Sequence, residues 1–159
     1  MIDIHRATRE DAGEILTLQR AAFVDEAQAC GDPFILPLTE GLERIERLLG
    51  KEDALVLKAV LGTRIVGAVR ASVAGSHGVV GRLAVAPDLR RRGIARALLA
   101  RVEEELRAGF PGLTALTLFI GAQSVGRLYR ERGYAETHRE RVAEHLVMVH
   151  MRKELVEPC

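Results

Sequence analysis

The segment Val79–Leu99, VVGRLAVAPDLRRRGIARALL, constrains this chain more than any other, because an apolar strand runs through an Arg-rich turn directly into an amphipathic helix. Pro87 cannot continue a strand ladder, so the strand ends there. The helix beyond the turn opens with backbone N–H groups that have no partner inside it, and its dipole puts partial positive charge at the same end. Such an end accommodates an anion, phosphate above all. Gly93 stands at the tightest point, where the lack of a Cβ lets the backbone turn and a ligand approach. Arg90, Arg91 and Arg92 add charge suited to phosphate oxygens. The expected cradle is formed by backbone N–H groups from about Arg91 to Arg96, those of Gly93, Ile94 and Ala95 among them.

The rest of the chain supplies alternating strands and helices. Residues 2–7 alternate as a half-buried strand, and Thr8 caps a first helix that runs to about Phe23 with Ala12, Ile15, Leu16 and Phe23 on one face. From Val24 to Leu38 the pattern breaks around Gly31, Pro33 and Pro37, so this apolar segment reads as irregular. It is either a substrate-side lid or a connector packed on the core. Thr39 is the expected cap of a second helix to about Leu49, a surface helix with Glu40, Glu43, Arg44, Glu46 and Arg47 largely on its polar side. Strands over 54–61 and 65–72 are joined by the hairpin pair Gly62-Thr63, and a third, 78–85, returns after Gly75-Ser76-His77. The helix from about Arg92 to Ala108 buries Ile94, Leu98, Leu99, Val102 and Leu106 and stops near Gly109 and Pro111. A strand over 113–120 follows, parallel to the strand before the helix through a right-handed crossover. A short helix over 124–132 and two final strands, 135–141 and 144–152, complete the chain.

At 159 residues and 48% apolar content the chain is expected to fold as one domain spanning 1–159. A formal charge of +1 provides no global field for nucleic acid or an anionic membrane, and neither is an expected partner. The amino terminus has no signal-peptide core and no run suffices for a membrane span, which predicts a cytoplasmic protein. Cys30 and Cys159 form no CxxC pair, and the five histidines form no ligating motif, so no metal is expected.

Arg90-Arg91-Arg92-Gly93-Ile94-Ala95 resembles the Gln/Arg-x-x-Gly-x-Gly/Ala acyl-CoA signature of the GNAT superfamily of N-acetyltransferases. Leu83-Ala84-Val85-Ala86-Pro87 is similar to that family's fourth strand, and Leu128-Tyr129-Arg130-Glu131-Arg132-Gly133-Tyr134 to its LY-x-x-x-GF/Y element. The resemblance implies a mixed α/β fold: a central, mostly antiparallel sheet of about seven strands flanked by four helices. It implies acetyl-CoA as cosubstrate, with the pyrophosphate in the cradle and the pantetheine arm along the main chain of Leu83, Ala84 and Val85. It also implies Tyr129 as the general acid that protonates the departing CoA thiolate, a role open to a phenol that stays protonated at neutral pH.

Two departures from the family pattern matter. Ala122 stands where many members carry an Asn that binds the CoA arm, leaving Gln123 and Ser124 as substitutes. The fourth and fifth strands carry no carboxylate, so the candidates for a base are Asp25 and Glu26 in the lid; a water chain, or no dedicated base, are the alternatives. The implied function is acetyl transfer to a primary amine by direct attack in a ternary complex. Cys30 has no identifiable base and is not read as a nucleophile. The rival reading is a non-catalytic acyl-CoA-binding or sensing module. The acceptor amine has no motif, and family habit allows a homodimer.

Overall fold

The computed structural model describes residues 1–122 and 126–155. Strand β1 (Ile2–Arg6) leads to Thr8, whose backbone N–H donates to Asp11 Oδ2 at 2.8 Å and starts a 3-10 turn over Arg9–Asp11. Helix α1 (Ala12–Ala22) follows directly and buries Ala12, Ile15, Leu16, Leu18 and Gln19.

The segment expected to be irregular is mostly helical. Helix α2 (Val24–Cys30) ends at Gly31, which is left-handed, and the short helix α3 (Leu36–Thr39) carries Pro37 in its first turn. The physical reason is positional: Gly31, Pro33 and Pro37 punctuate the ends of helices, where a missing N–H or a left-handed residue is tolerated. Thr39 lies inside α3, and helix α4 (Leu42–Leu49) starts from Gly41. Glu40 therefore belongs to the turn between α3 and α4 and is buried, contrary to its expected place on an outer face.

Strands β2 (Ala54–Leu61), β3 (Arg64–Ala74) and β4 (His77–Val85) form the expected antiparallel meander. Helix α5 (Ile94–Gly109) crosses to β5 (Ala115–Gly121), and α6 (Arg127–Glu131) leads to the hairpin of β6 (Ala135–Ala143) and β7 (Leu146–Glu154). The seven strands form one sheet in the order β1-β2-β3-β4-β5-β7-β6, and only β4 and β5 are parallel. The described residues thus hold six α-helices where four were expected, because the segment after Phe23 contributes α2 and α3 and every other helix keeps its place.

Leu98, Leu99, Val102 and Leu106 of α5 are fully buried with Val66, Val69 and Leu116 of the sheet. Burial of each such side chain stabilises the fold by about 1.5–3 kcal/mol. This packing fixes the start of α5 beside the end of β4.

Candidate active site

β4 and β5 pair only where His77–Val79 face Ala115–Thr117. Beyond Val79 the two strands part, and among the described residues the edge of β4 facing β5 has no strand partner. The Ala86 N–H donates to the Val66 carbonyl at 2.8 Å. Since main-chain groups alternate along a strand, Leu83 and Val85 turn their N–H and C=O away from β3 and into the gap, while Ala84 pairs with Ala68. The expected pantetheine strand thus offers two of its three residues to a ligand.

At the end of that gap the chain makes its turn. Arg91 is left-handed (φ 64°), as is Gly93 (φ 79°), which caps α5. A side chain at Gly93 would meet no protein atom within 4 Å, so the backbone conformation and the open space beside it account for the glycine. The Gly93 carbonyl accepts from Ala97 at 3.0 Å, leaving the N–H groups of Ile94, Ala95 and Arg96 ahead of the first intrahelical bond.

The three arginines do not act as one patch. Arg91 and Arg92 are exposed, whereas Arg90 is engaged with α1 and α2, donating to the Ala22 carbonyl at 3.1 Å and to Asp25. Asp25 is thereby occupied as an exposed ion pair. Arg96 reaches α6, where Glu131 accepts from it at 2.8 Å and from Arg127 at 3.0 Å.

Glu26, the other lid carboxylate, points into the gap. Burial raises its pKa above the ordinary carboxylate range, although the Gly121 backbone amide at the end of β5 and the Arg82 cation on β4 both favour the ionised form. Tyr129 is near enough to feel that carboxylate, its phenol pushed up to about 12 by burial and by the negative charge of Glu26. A carboxylate able to accept a proton and a phenol that keeps its own are therefore electrostatic neighbours.

A cluster around Glu103, which joins the end of the Leu128–Tyr134 element to α5, holds these residues in place. Tyr129 packs edge-on against Tyr134, with ring centroids 6.1 Å apart, and its carbonyl accepts from the Tyr134 N–H. The Tyr134 hydroxyl is fixed by Glu103 on α5, which also accepts from Arg132 at 2.6 Å and Lys153 at 2.8 Å. Burial works against the Glu103 charge, but these three donors overcome it and hold the carboxyl below its usual range. The one available signal was an acid on the same helix face as Leu99 and Leu106. On the lid, Ala27, Cys30 and Ile35 pack with Phe23, Leu38 and Leu146, and His145 Nε2 lies 2.8 Å from Asp32 Oδ2, which docks the lid on the β6–β7 hairpin. Cys30 is buried within that cluster.

A β-bulge introduces a further residue. Ala68 faces Ala84 and Arg70 faces Gly81, so Val69 is opposed by both Arg82 and Leu83, and Arg82 takes φ 51°. Its side chain joins a buried cluster around Glu40. Arg70 donates to both Glu40 oxygens at 2.7 Å, with Gln19 and Arg44 adding bonds at 3.1 Å. Burial opposes the Glu40 charge, yet these donors hold the carboxyl down to about 2. Gln123 and Ser124, the expected substitutes for the family Asn, lie outside the described residues, as does Cys159.

The Acetyltransferase (GNAT) domain family matches residues 23–155. The chain belongs to the GNAT acetyltransferase family. Among curated GNAT relatives, the IAA acetyltransferase of Azospirillum brasilense is 39% identical over 92 residues, 55% of this chain and 59% of that protein. The chain spans about half the length of the curated relatives it matches. Among solved structures, the ribosomal-protein-S18-alanine N-acetyltransferase from Escherichia coli superposes with a TM-score of 0.81 at 18% identity, covering 100% of this chain and 97% of that one. PaiA N-acetyltransferase from Thermoplasma acidophilum, in complex with coenzyme A, gives 0.71 at 18% identity, covering 98% and 99%. At this identity the two share the GNAT fold with the chain. No described helix is long and apolar enough to cross a membrane.

Proposed function

We propose that this GNAT chain is an acetyl-CoA-dependent N-acetyltransferase acting on a primary amine by direct attack. The observation that carries the reading is the convergence of Glu26 and Tyr129 on the gap between β4 and β5, which leads to the free N–H groups of α5. Those N–H groups, with Arg91 and Arg92, would hold the pyrophosphate. The outward main-chain groups of Leu83 and Val85 would pair with the pantetheine amides. The fit is supported by the open space at Gly93, which a Cβ would enter.

In the transfer the amine nitrogen bonds to the thioester carbonyl carbon, and the carbon–sulfur bond breaks. Glu26 takes the proton that the nitrogen loses, and Tyr129 gives its proton to the departing thiolate. Glu26 then returns its proton to solvent, and the Tyr129 phenolate regains one. Asp25, tied to Arg90, takes no part in this scheme.

The test is a turnover screen with acetyl-CoA against amino acids, polyamines, aminoglycosides and peptide amino termini, read by thiol release. Acetyl-CoA itself should raise the melting temperature, since a ligand at a hundredfold excess over its Kd stabilises the native state by about 2.7 kcal/mol. For a chain of this length that is roughly 5–11 °C. A melting curve unmoved by saturating acetyl-CoA would sink the reading; a shift without turnover on any amine would favour a sensing module.

A further inference from the structure

The Arg82 side chain is half-buried, and its guanidinium donates no hydrogen bond to any described residue. Its side chain is only 17% exposed, and its Nε is shut off from solvent with no acceptor. The Glu40 carboxylate lies 3.7 Å from one terminal nitrogen, beyond hydrogen-bond reach. Glu40 is in any case already occupied, one oxygen by Arg70 and Gln19 and the other by Arg70 and Arg44. Among the described residues Arg82 donates no hydrogen bond, although a guanidinium carries five N–H donors.

Buried donors normally find partners, and an exception calls for a reason. A bulge that holds Arg82 at a positive φ is a costly way to place a cation whose charge is felt by Glu40 and Glu26 but whose donors go unused. Arg82 also neighbours Glu26, the group assigned above to receive the amine proton, and Glu26 does not hydrogen-bond it. Arg44, Arg70 and Arg82 stand against the two carboxylates Glu40 and Glu26, which leaves one positive charge in surplus next to where the acceptor amine must stand. A plain alkylammonium would meet repulsion there. An amine that also carries a carboxylate would neutralise the surplus and give Arg82 a planar, two-oxygen partner.

Resting on the acetyltransferase reading, we infer that the acceptor is a small amino acid in the broad sense, a primary amine whose carboxylate is bound by Arg82 while its nitrogen faces Glu26.

The experiment compares matched acceptors with the full chain and acetyl-CoA: glycine, alanine, β-alanine and γ-aminobutyrate, each against its carboxamide and the alkylamine lacking the carboxyl. At least one acid is expected to exceed its carboxamide by about ten- to a hundredfold in kcat/KM, the worth of a charged hydrogen bond. Arg82→Gln should bring that ratio to within about threefold by lowering the rate on the acid far more than on the amide, whose loss reflects only the weaker ionisation of Glu26, and Arg82→Lys should keep part of the preference. The acetyl-CoA melting shift of each variant shows that the fold and cosubstrate site persist. If Arg82→Gln does not fold, Arg82→Lys decides: a preference equal to that of the parent counts against the inference. Carboxamides or alkylamines used as well as the acids, or a preference that survives Arg82→Gln, overturn it while leaving the acetyltransferase reading intact. No transfer to any acceptor in this set or the wider screen removes both.

Discussion

The Tyr134 hydroxyl donates to Glu103 Oε2 at 3.0 Å, tying the segment after α6 to the middle of α5. Because Tyr134 packs against Tyr129, this bond fixes the candidate proton donor from behind. Replacing Glu103 by Ala leaves Lys153 and Arg132 without their counterion. Removing one partner of a buried pair costs about 3–5 kcal/mol, and partial exposure of Arg132 discounts this toward about 3 kcal/mol. The melting temperature should fall by roughly 6–12 °C. Glu103→Gln should fall less, and calorimetry of the two variants checks the order.

Gly93→Val should abolish the melting shift produced by acetyl-CoA and leave the unliganded protein folded. The variant puts a β-branched residue at φ 79° and fills the open space beside the start of α5. Unchanged affinity for CoA by calorimetry would place the phosphate site elsewhere.

Tyr129→Phe removes one oxygen and keeps the ring packed on Tyr134. With Tyr129 as general acid, turnover should fall by about 10²–10⁴ with little change in acetyl-CoA affinity. A variant within about twofold of the parent would assign Tyr129 to packing alone.

Glu26 must be ionised to accept a proton, so the rate should fall as pH drops through its pKa, which lies above the ordinary carboxylate value. Tyr129 must be protonated, and at about 12 it loses its proton only far above neutrality. The pH profile should therefore show an acid limb assigned to Glu26 and no falling limb from Tyr129 below about pH 10. Glu26→Gln should lower the rate and erase the acid limb; an unchanged limb would assign it to another group.

Glu40 gives a stability prediction of definite sign. Its folded pKa of about 2 lies below the ordinary 4.5, so its contribution is fully present above pH 4.5 and is lost as pH falls toward 2. The linkage is worth about 3 kcal/mol. Glu40→Gln should be less stable at neutral pH and flatten the melting-temperature curve between about pH 5 and pH 2.5.

The cradle was legible in the sequence because its parts are contiguous: a strand, Pro87, a turn at Gly93 and an apolar stripe on one helix. The parallel pairing of β4 and β5 followed from the same local order. The lid was misread because Gly31 and Pro37 mark the ends of short helices as readily as they mark loops. The Glu40 cluster was hidden for a different reason. Its members, Gln19, Arg44, Arg70 and Arg82, come from α1, α4, β3 and β4, and an Arg in an alternating strand carries no sign of whether a buried carboxylate awaits it. Arg82 was further obscured by the bulge, since inserting one residue changes which side of the sheet a side chain serves.

Three residue pairs join β4 to β5, so the seven-stranded sheet is two sheets sewn along a short seam, β1 to β4 on one side and β5, β7 and β6 on the other. Gly78 sits in that seam, and a Cβ there would come within 2.8 Å of Leu116 and 3.2 Å of Leu106. The seam closes because nothing stands in it. A methyl group at this one position, far from Glu26 and Tyr129 in sequence, would press outward from the sheet on those two leucines, so the bare backbone of Gly78 is what lets the last turns of α5 settle over the seam.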